Sequence, residues 1–328
     1  MRSVILPDGR QTSALGFGCA ALVGGRTRKE SARLLEAAFD AGIRHFDVAR
    51  VYGTGDAEAI LGAFARSRRD EITIATKFGI DPLPSTRSVD LAKRVVRSVA
   101  RRSPRVLALL RSQTERVVTR GAFSPEKARS SLDVSLRCLG TQRLDIYLLH
   151  GCTPDDWAQQ ALMEELEALV ARGTIGAFGP ATGRESAARI LDLPGTPPAV
   201  LQSEADLLDP PLSAPGVALS VTFGCLRRGL AAIGGHVSGD RPAAARWRTE
   251  LGVDVTSPDE LGPLLVAEAL DANPGGIVLF SSGSERRIER CASVATGEPF
   301  AAAQLDALRR LAGELRPAED LLRCRRSR

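Results

Sequence analysis

The sequence of 328 residues has few of the side chains that most often carry proton transfer. Of its 44 basic residues only four are lysines, and it has only two tyrosines and three histidines. The candidates for acid–base chemistry are therefore few enough to consider singly. They are Lys29, Lys77, Lys93, Lys127, Tyr52, Tyr147, His45, His150 and His236.

Long apolar runs and paired cysteines are also missing. No run approaches the roughly 20 apolar residues that a membrane-spanning helix needs, and the first residues lack the apolar core of a secretory signal. The six cysteines show neither C-x-x-C spacing nor the density of a disulfide scaffold, which is typical of free thiols in a reducing compartment. No cluster has metal-ligand spacing. We expect a cytoplasmic protein without a metal or a membrane contact.

The composition is that of an ordinary globular chain. Hydrophobic residues make up 44%, charged residues 25%, and the mean hydropathy is −0.05, which excludes disordered, collagen-like and coiled-coil proteins. The length fits two average domains or one large α/β barrel.

Short β-branched runs alternate with segments of helical period along the chain. The predicted strands are residues 14–18, 45–49, 72–77, 144–150, 175–179, 200–203, 217–221 and 276–280. The predicted helices are residues 28–41, 57–66, 125–139, 156–172, 184–193, 258–271 and 284–294. Eight alternations favour a (β/α)8 TIM barrel, a single domain over residues 1–328, whereas a doubly wound sheet more often has five or six strands and a complete glycine fingerprint.

An arginine-rich segment interrupts this alternation after the third strand. Residues 81–121 far exceed the usual loop of 2–6 residues, and we predict a helical insertion there. Residues 81–120 carry ten basic and three acidic side chains, so the rest of the chain is close to neutral. The segment could bind nucleic acid or an acidic partner, cover the barrel mouth, or form an oligomer contact. Nucleic acid is disfavoured because aromatic residues are not interleaved with the arginines.

Four polar residues fall where consecutive predicted strands end, which is where barrel enzymes place their chemistry. Asp47 and Tyr52 follow the second strand, Lys77 closes the third and His150 closes the fourth. Alone, each would be read as a cap, a solvated side chain or a residue bonded to backbone. Together they form an acid–base set, since an ammonium lowers the high pKa of a tyrosine and a carboxylate holds that ammonium. Such a set suits the protonation of an alkoxide as hydride reaches a carbonyl.

These residues and their surroundings resemble the aldo-keto reductases. The resemblance is carried by residues 42–47 (GIRHFD), 52–55 (YGTG), Glu58, 61–62 (LG), 74–77 (IATK), 135–140 (SLRCLG) and 144–150 (LDIYLLH). It implies a (β/α)8 barrel that binds NADPH, or less often NADH, without a Rossmann domain. It further implies that Tyr52 donates the proton, that Lys77 and Asp47 tune it, and that His150 orients the carbonyl of a small-molecule substrate.

The resemblance also implies how the nicotinamide is held. Gln202 falls where the family contacts the carboxamide, and Phe223 falls where a tyrosine usually stacks on the ring. After the fifth strand, where the family has Ser-Asn, this chain reads Phe-Gly-Pro-Ala-Thr over residues 178–182. Because Pro180 offers no donor, we expect cofactor binding to be weaker by about tenfold.

At the other end of the cofactor, a Ser-Gly-Ser turn opens a predicted helix. Ser281, Ser282 and Gly283 form a candidate phosphate cradle, because helix N-termini offer unpaired N–H groups and a positive dipole. Arg287 matches a family position that meets a 2′-phosphate. NADPH is therefore favoured over NADH.

The substrate pocket would be built from variable loops. We expect five segments to form a roomy apolar pocket that favours anionic substrates, with Trp247 in it and Cys19 and Cys152 lining it: residues 20–26, the insertion, residues 151–155, residues 234–247 and the C-terminal stretch. His236 would lie in a glycine-rich loop bordering it, and His45 in the barrel wall. Two other functions stay open. One is oxidation of a sugar or other alcohol, and the other is a cofactor-binding sensor with little catalysis.

Overall fold

The computed structural model describes residues 1–22, 26–82, 122–297 and 300–315, and its centre is a closed barrel of eight parallel strands. The strands follow one another in chain order, and the last pairs with the first. They are β3 (Leu15–Gly18), β4 (His45–Asp47), β5 (Thr73–Phe78), β6 (Leu144–His150), β7 (Ile175–Thr182), β8 (Val200–Glu204), β9 (Leu219–Phe223) and β10 (Ile277–Phe280). The predicted TIM barrel is confirmed. The predicted insertion lies outside the described residues, except Asp81 and Pro82.

Helices on the outside of the barrel follow most of the strands. They are α1 (Arg28–Asp40), α2 (Ala57–Ala65), α3 (Pro125–Leu139), α4 (Pro154–Trp157), α5 (Gln160–Ala171), α6 (Arg184–Leu191), α7 (Arg227–Val237), α8 (Arg241–Leu251), α9 (Pro258–Ala272), α10 (Glu285–Ser293) and α11 (Ala302–Ala312). Tight 3₁₀ turns over Cys19–Leu22 and Tyr52–Gly55 follow β3 and β4. None of the described helices combines the length and apolar character that crossing a bilayer requires.

Local sequence signals explain where α3 begins and ends. The Ser124 hydroxyl accepts a hydrogen bond from the Lys127 N–H, Pro125 occupies the first helical position, and Gly140 ends the helix in the left-handed region with φ 64°. Helix α9 likewise begins at Pro258, as predicted, although the side chain of Ser257 makes no capping hydrogen bond. These signals predict the helix boundaries even where the cap itself is not made.

The prediction of a loop at residues 234–247 was wrong. These residues lie largely in α7 and α8, whose apolar side chains pack in a second core with α9 and α11. Trp247 is completely buried in that core, and the ring of His236 lies 5.5 Å from its ring. Neither residue is on a loop at the mouth of the barrel. The helical period was hard to see because α8 buries only Trp247 and Leu251.

Other elements also differ from the prediction. The helix expected over residues 156–172 is divided into α4 and α5, and α11 was not predicted. An antiparallel hairpin of β1 (Ser3–Ile5) and β2 (Gln11–Ser13) precedes the barrel. Strands of three residues are too short for their alternation to stand out in the sequence.

The hairpin closes the end of the barrel at which the strands begin. The hydroxyl of Thr12 lies 2.7 Å from that of Thr73 at the start of β5. Arg10 from the hairpin loop and Arg69 both pair with the fully buried Asp145, which also accepts a hydrogen bond of 2.8 Å from the Ile74 N–H. The carboxylate therefore has partners on every side, as a buried charge requires. The residues predicted as catalytic lie at the opposite end of the barrel.

Next to the site, Gly79 and Phe123 fix the two ends of the arginine-rich segment. Gly79 has φ 108°, and a Cβ at this position would lie 2.4 Å from the Phe123 ring. Phe123 is buried and packs edge-on against Phe78, the last residue of β5. The chain thus leaves the barrel and returns to it at the same place, directly beyond Lys77.

Candidate functional site

The register of the strands brings Asp47 and Lys77 to the inner side of the barrel at its carboxyl end. Asp47 pairs with Gly18 on one side and with Ala75 on the other, and Lys77 is two residues beyond Ala75. Because side chains alternate along a strand, and paired residues point the same way, both side chains face the interior. The position of the two charges is set by the barrel itself.

Lys77 and Asp47 form a buried ion pair. The Lys77 Nζ donates to the Asp47 Oδ1 at 2.5 Å and to the Val48 carbonyl at 3.1 Å. The second oxygen of Asp47 accepts from the Gln202 Nε2 at 2.8 Å, on the far side of the barrel. The exposed fractions are 2% for Lys77 and 3% for Asp47. Burial lowers the pKa of Lys77, but the Asp47 and Tyr52 interactions raise it by more, so the ammonium stays charged.

Tyr52 begins the turn that follows β4 and lies above this ion pair. The Lys77 Nζ is 5.2 Å from the centre of its ring. Burial raises the pKa of Tyr52, and the Lys77 ammonium lowers it by less, so the net direction is upward. The expected lowering of this pKa is therefore outweighed by burial. The phenol is protonated at neutral pH and is poised to donate.

His150 ends β6 and faces Tyr52. The two rings lie 6.0 Å apart at 88°, edge to face. Burial, followed by the neighbouring Lys77 charge, lowers the pKa of His150 to about 3. The imidazole is therefore neutral near pH 7 and can donate one hydrogen bond and accept another. The four predicted catalytic residues thus lie at one end of the barrel, around Lys77.

Three further rare side chains within the described residues have structural partners. The hydroxyl of Tyr147, on the outer side of β6, donates to the Ala128 carbonyl at 3.0 Å. Lys127 pairs with Asp81. His45 is completely buried, and its Nδ1 lies 2.9 Å from the Thr73 hydroxyl. Burial lowers the pKa of His45 to about 4. Its ring is part of the barrel interior.

The predicted pocket cysteines are not exposed to a pocket. Cys19 and Cys152 are completely buried, and burial raises the pKa of both thiols, that of Cys152 to about 12. Neutral buried thiols are poor nucleophiles. The five cysteines that the structure describes form no disulfide, and no group of histidine, cysteine and acidic residues in the described ranges could hold a metal ion.

Pro180 lies inside β7, which continues to Thr182 beyond the predicted end of the strand. Pro180 pairs with Leu149 on the outer side, whereas the residue level with both His150 and Gln202 is Ala181. The inward position of this strand therefore carries only a methyl group. The Thr182 hydroxyl donates to the Cys152 carbonyl at 2.9 Å. The missing polar side chain is thus at Ala181, and the proline is turned away from the site.

Gln202 and Phe223 face the same interior. Gln202 pairs with Val221, and Phe223 pairs with Glu204, so both side chains belong to the inward set of their strands. Phe223 ends β9 and is half-buried, so part of its side chain is accessible. The amide nitrogen of Gln202 is bonded to Asp47, which leaves its oxygen as the atom that a carboxamide N–H could meet.

The turn after β10 carries the candidate phosphate residues. The Ser281 hydroxyl donates to the Gly18 carbonyl at 2.6 Å and fastens β10 to β3. A Cβ at Gly283 would lie 1.8 Å from the Nη2 of Arg26, so the glycine leaves room for a guanidinium from the loop before α1. Backbone N–H groups at the start of α10, beside this cation, fit the phosphates of a dinucleotide.

Arg287 lies in the first turn of α10 and forms an ion pair with Asp259. Its Nε donates to the Asp259 Oδ1 at 2.6 Å. We did not predict this pair from the sequence, nor the Arg26–Gly283 approach, nor the Gln202–Asp47 hydrogen bond. Asp259 is an acid in the first turn of α9, and its position there does not indicate a partner on α10. The other two contacts join distant segments and leave no local signal.

A surface cleft between α1 and α10 is separate from these residues. It is lined by Arg33, Glu36, Ala37, Asp40, Ala41, Glu285, Glu289, Ser293 and Thr296. It lies outside the barrel and contains none of the inward-facing side chains described above.

Comparison with known proteins identifies a family for most of the chain. Residues 14–213 match the profile described as the Aldo/keto reductase family. A D-threo-aldose 1-dehydrogenase from Pseudomonas sp is 34% identical over 177 residues, which cover 51% of this chain and 49% of that protein. A 6-dehydroglucose reductase from Novosphingobium aromaticivorans is 42% identical over 82 residues, 22% of this chain and 27% of that protein. The chain matches at most about half the length of these relatives.

Solved structures share the fold over nearly the whole chain. The holo form of the aldo-keto reductase AKR11C1 from Bacillus halodurans has a TM-score of 0.70 at 20% identity, covering 95% of this chain and 96% of that one. The glycerol dehydrogenase AKR11B4 from Gluconobacter oxydans has a TM-score of 0.67 at 19% identity, with 96% of each chain covered. At these identities the similarity is evidence for the fold alone.

Proposed function

Because the chain belongs to the aldo/keto reductase family, we propose that it is an NADPH-dependent oxidoreductase that reduces an aldehyde or ketone to an alcohol. The observation that carries the proposal is the buried Lys77–Asp47 pair, held by Gln202 and placed under the Tyr52 ring. An ion pair that only stabilised the fold would not require a phenol and a neutral imidazole beside it. Proton donation in a buried site requires an acid, here the Tyr52 phenol, and a group that orients the substrate oxygen, here the His150 imidazole.

Tyr52 acts as the general acid. Its raised pKa keeps the proton on the phenol until negative charge develops on the substrate oxygen. A nicotinamide held by Gln202 and Phe223 would supply the hydride for the carbonyl carbon. The Tyr52 phenol gives its proton to the carbonyl oxygen as that oxygen becomes negative. The resulting phenolate is stabilised by the adjacent Lys77 ammonium, whose own charge is secured by Asp47.

His150 orients the carbonyl. With its pKa lowered to about 3, the imidazole is neutral and donates a hydrogen bond to the carbonyl oxygen without competing to protonate it. Its edge-to-face contact with Tyr52 fixes the angle between the two donors. A carbonyl oxygen bound between them faces two hydrogen-bond donors of different acidity, and only the phenol gives up its proton.

Each proposed cofactor residue has a group suited to one part of the cofactor. Phe223 supplies a stacking face for the nicotinamide ring, and the Gln202 oxygen accepts from the carboxamide. Main-chain N–H groups of Ser281, Ser282 and Gly283 hold phosphate oxygens at the start of α10. The Ser281 hydroxyl is already bonded to Gly18, so its contribution is through the backbone.

Preference for NADPH rests on the arginines near this end. Arg287 offers its terminal guanidinium nitrogens to a 2′-phosphate, and Arg286 and Arg290 lie on the same helix. A 2′-phosphate carries up to two negative charges, whereas the ribose hydroxyl of NADH carries none. A cluster of three arginines therefore favours the phosphate.

A second candidate function is oxidation of a sugar or another polyol. The relative of 34% identity is named as an aldose 1-dehydrogenase, and a structural neighbour is named as a glycerol dehydrogenase. In that direction Tyr52 as phenolate would accept the hydroxyl proton. The Lys77–Asp47 pair serves either direction.

The Tyr52→Phe variant tests the proposal. The ring stays while the transferable proton is lost, so we expect NADPH binding to be kept and carbonyl reduction to fall by about 10²–10⁴-fold. The measurements are NADPH consumption with aromatic and aliphatic aldehydes, NAD⁺ reduction with sugars and polyols, and a cofactor titration. Unchanged turnover in Tyr52→Phe would overturn the mechanism. Tight binding without turnover by the unaltered protein would instead support the sensor function.

A further inference from the structure

The ion pair between Arg287 and Asp259 joins the first turns of two helices. Asp259 is the second residue of α9, and Arg287 is the third residue of α10. Cys291 and Gly262, one turn further along each helix, also approach each other, because a Cβ at Gly262 would lie 3.9 Å from the Cys291 Sγ. The carboxylate is therefore held next to the guanidinium by the packing of two helices.

The pair leaves part of the guanidinium available. Asp259 takes the Nε of Arg287, and within the described ranges the two terminal nitrogens of Arg287 donate no hydrogen bond. The exposed fractions are 54% for the Arg287 side chain and 31% for that of Asp259. Both side chains are thus partly open to solvent at the start of α10.

An arginine and a carboxylate at this place favour different ribose groups. A guanidinium binds a 2′-phosphate, and a carboxylate accepts a hydrogen bond from a 2′-hydroxyl but repels a phosphate dianion. Arg286 and Arg290 also act electrostatically on Asp259, since with Arg287 they lower its pKa and keep it charged at neutral pH. The carboxylate therefore opposes the three arginines at neutral pH.

Resting on the proposed NAD(P)H-dependent function, we infer that Asp259 is a specificity-determining residue that weakens the preference for NADPH and allows NADH to bind. It acts through its charge, beside the 2′ position, and through its hold on the Arg287 Nε. The site consequently accepts both cofactors with a moderate bias, and the bias is set by one exposed carboxylate.

The experiment is a titration of the full chain with NADPH and with NADH, without substrate, followed by protein fluorescence. The quantity compared is the ratio of the two dissociation constants. We expect Asp259→Asn to shift this ratio toward NADPH by about threefold to fivefold, the range for an exposed charge interaction. The shift should shrink in 0.5 M salt, because salt screens exposed charges.

The matched control is Asp271→Asn, which removes an exposed aspartate from the other end of α9. Asp271 pairs with the Arg309 Nη2 at 2.6 Å, so the same kind of ion pair is lost away from the cradle. The control should leave the ratio unchanged. Arg287→Gln should shift the ratio toward NADH, and Asp259→Asn in that background should still shift it toward NADPH by a smaller factor.

Two results would overturn the inference in distinguishable ways. If the unaltered protein bound neither cofactor, the proposed function would fall together with the role of Asp259. If it bound both, and the ratio in Asp259→Asn matched that in Asp271→Asn, only the role of Asp259 would fall. Circular dichroism of each variant establishes that the comparison is between folded proteins.

Discussion

The two groups of residues proposed to hold the ends of the cofactor use ion pairs in opposite ways. At the catalytic end, the Lys77 and Asp47 side chains are 2% and 5% exposed and are surrounded by protein donors and acceptors. At the phosphate end, Arg287 and Asp259 are 54% and 31% exposed. A buried pair fixes the charge of its members and so serves chemistry, whereas an exposed pair can exchange partners and so serves recognition.

Among the variants that test this difference, Lys77→Met should have the largest effect on stability. It leaves the Asp47 carboxylate buried with only Gln202 beside it, so we expect the free energy of unfolding to fall by about 3–5 kcal/mol. Urea denaturation measures it. The matched control is Lys127→Met, because Lys127 pairs with the more exposed Asp81, and its removal should cost less than about 1 kcal/mol.

Equal losses in these two variants would show that burial does not distinguish the pairs. A further check is Asp47→Asn in the Lys77→Met background. It removes the stranded charge while keeping an acceptor for Gln202, so it should recover part of the lost stability. No recovery would mean that Lys77→Met acts by lost packing.

A smaller effect concerns the buried histidine at the other end of the barrel. The pKa of His45 is lowered by burial to about 4, below its unfolded value of about 6.5. Below pH 6.5 His45 binds a proton in the unfolded chain but not in the folded protein. Its contribution to the free energy of unfolding is therefore fully present above pH 6.5 and is lost as the pH falls toward 4. Between pH 7 and pH 5 this histidine alone should account for a loss of about 2 kcal/mol.

Urea denaturation at pH 7, 6 and 5 on the unaltered protein and on His45→Asn measures this contribution. The variant should be less stable at pH 7, because a buried polar group has changed, but should lose less stability on acidification. Parallel pH profiles for the two proteins would contradict the assignment. His150 acts in the same direction in both proteins and cancels in the comparison.

The smallest effect tests what the Ser281 hydroxyl does. Its hydrogen bond to Gly18 predicts that Ser281→Ala lowers the free energy of unfolding by about 1 kcal/mol and leaves the NADPH dissociation constant within twofold. Ser282→Ala is the control on the neighbouring turn residue, whose hydroxyl accepts from the Ser284 N–H at 3.2 Å. A large loss of affinity with unchanged stability would make the hydroxyl a direct phosphate ligand.

The placement of Asp47, Lys77 and His150 could be predicted from the sequence because its information is local. Eight strands appear as short apolar runs, and three consecutive strands each carry one polar residue at or near their end, so the barrel rule alone places these three residues on one face. Tyr52 follows Asp47 by five residues, through a glycine-rich turn. Rare residue types made these positions conspicuous.

The phosphate end was less predictable because its contacts join distant segments. Arg26 meets Gly283 across 257 residues, and Gln202 meets Asp47 across 155. Arg287 and Asp259 are 28 residues apart, on helices whose relative packing no local pattern encodes. Helix α8 has a weak period because it buries only Trp247 and Leu251. Helix α7 does bury residues at helical spacing, Gly229, Ala232, Ile233 and Val237, but three of its eleven residues are glycines, which favour a loop in a prediction from sequence.

The contact between Gly79 and Phe123 has a consequence for how the chain can change in evolution. Phe123 packs against Gly79 and Phe78, so the chain positions on either side of residues 80–122 are held together by contacts next to the barrel wall. The entropic cost of a longer connection grows only with the logarithm of its length, about 0.6 kcal/mol per doubling. Length and charge between these two residues can therefore vary with little effect on the barrel, immediately beside the strand that carries Lys77.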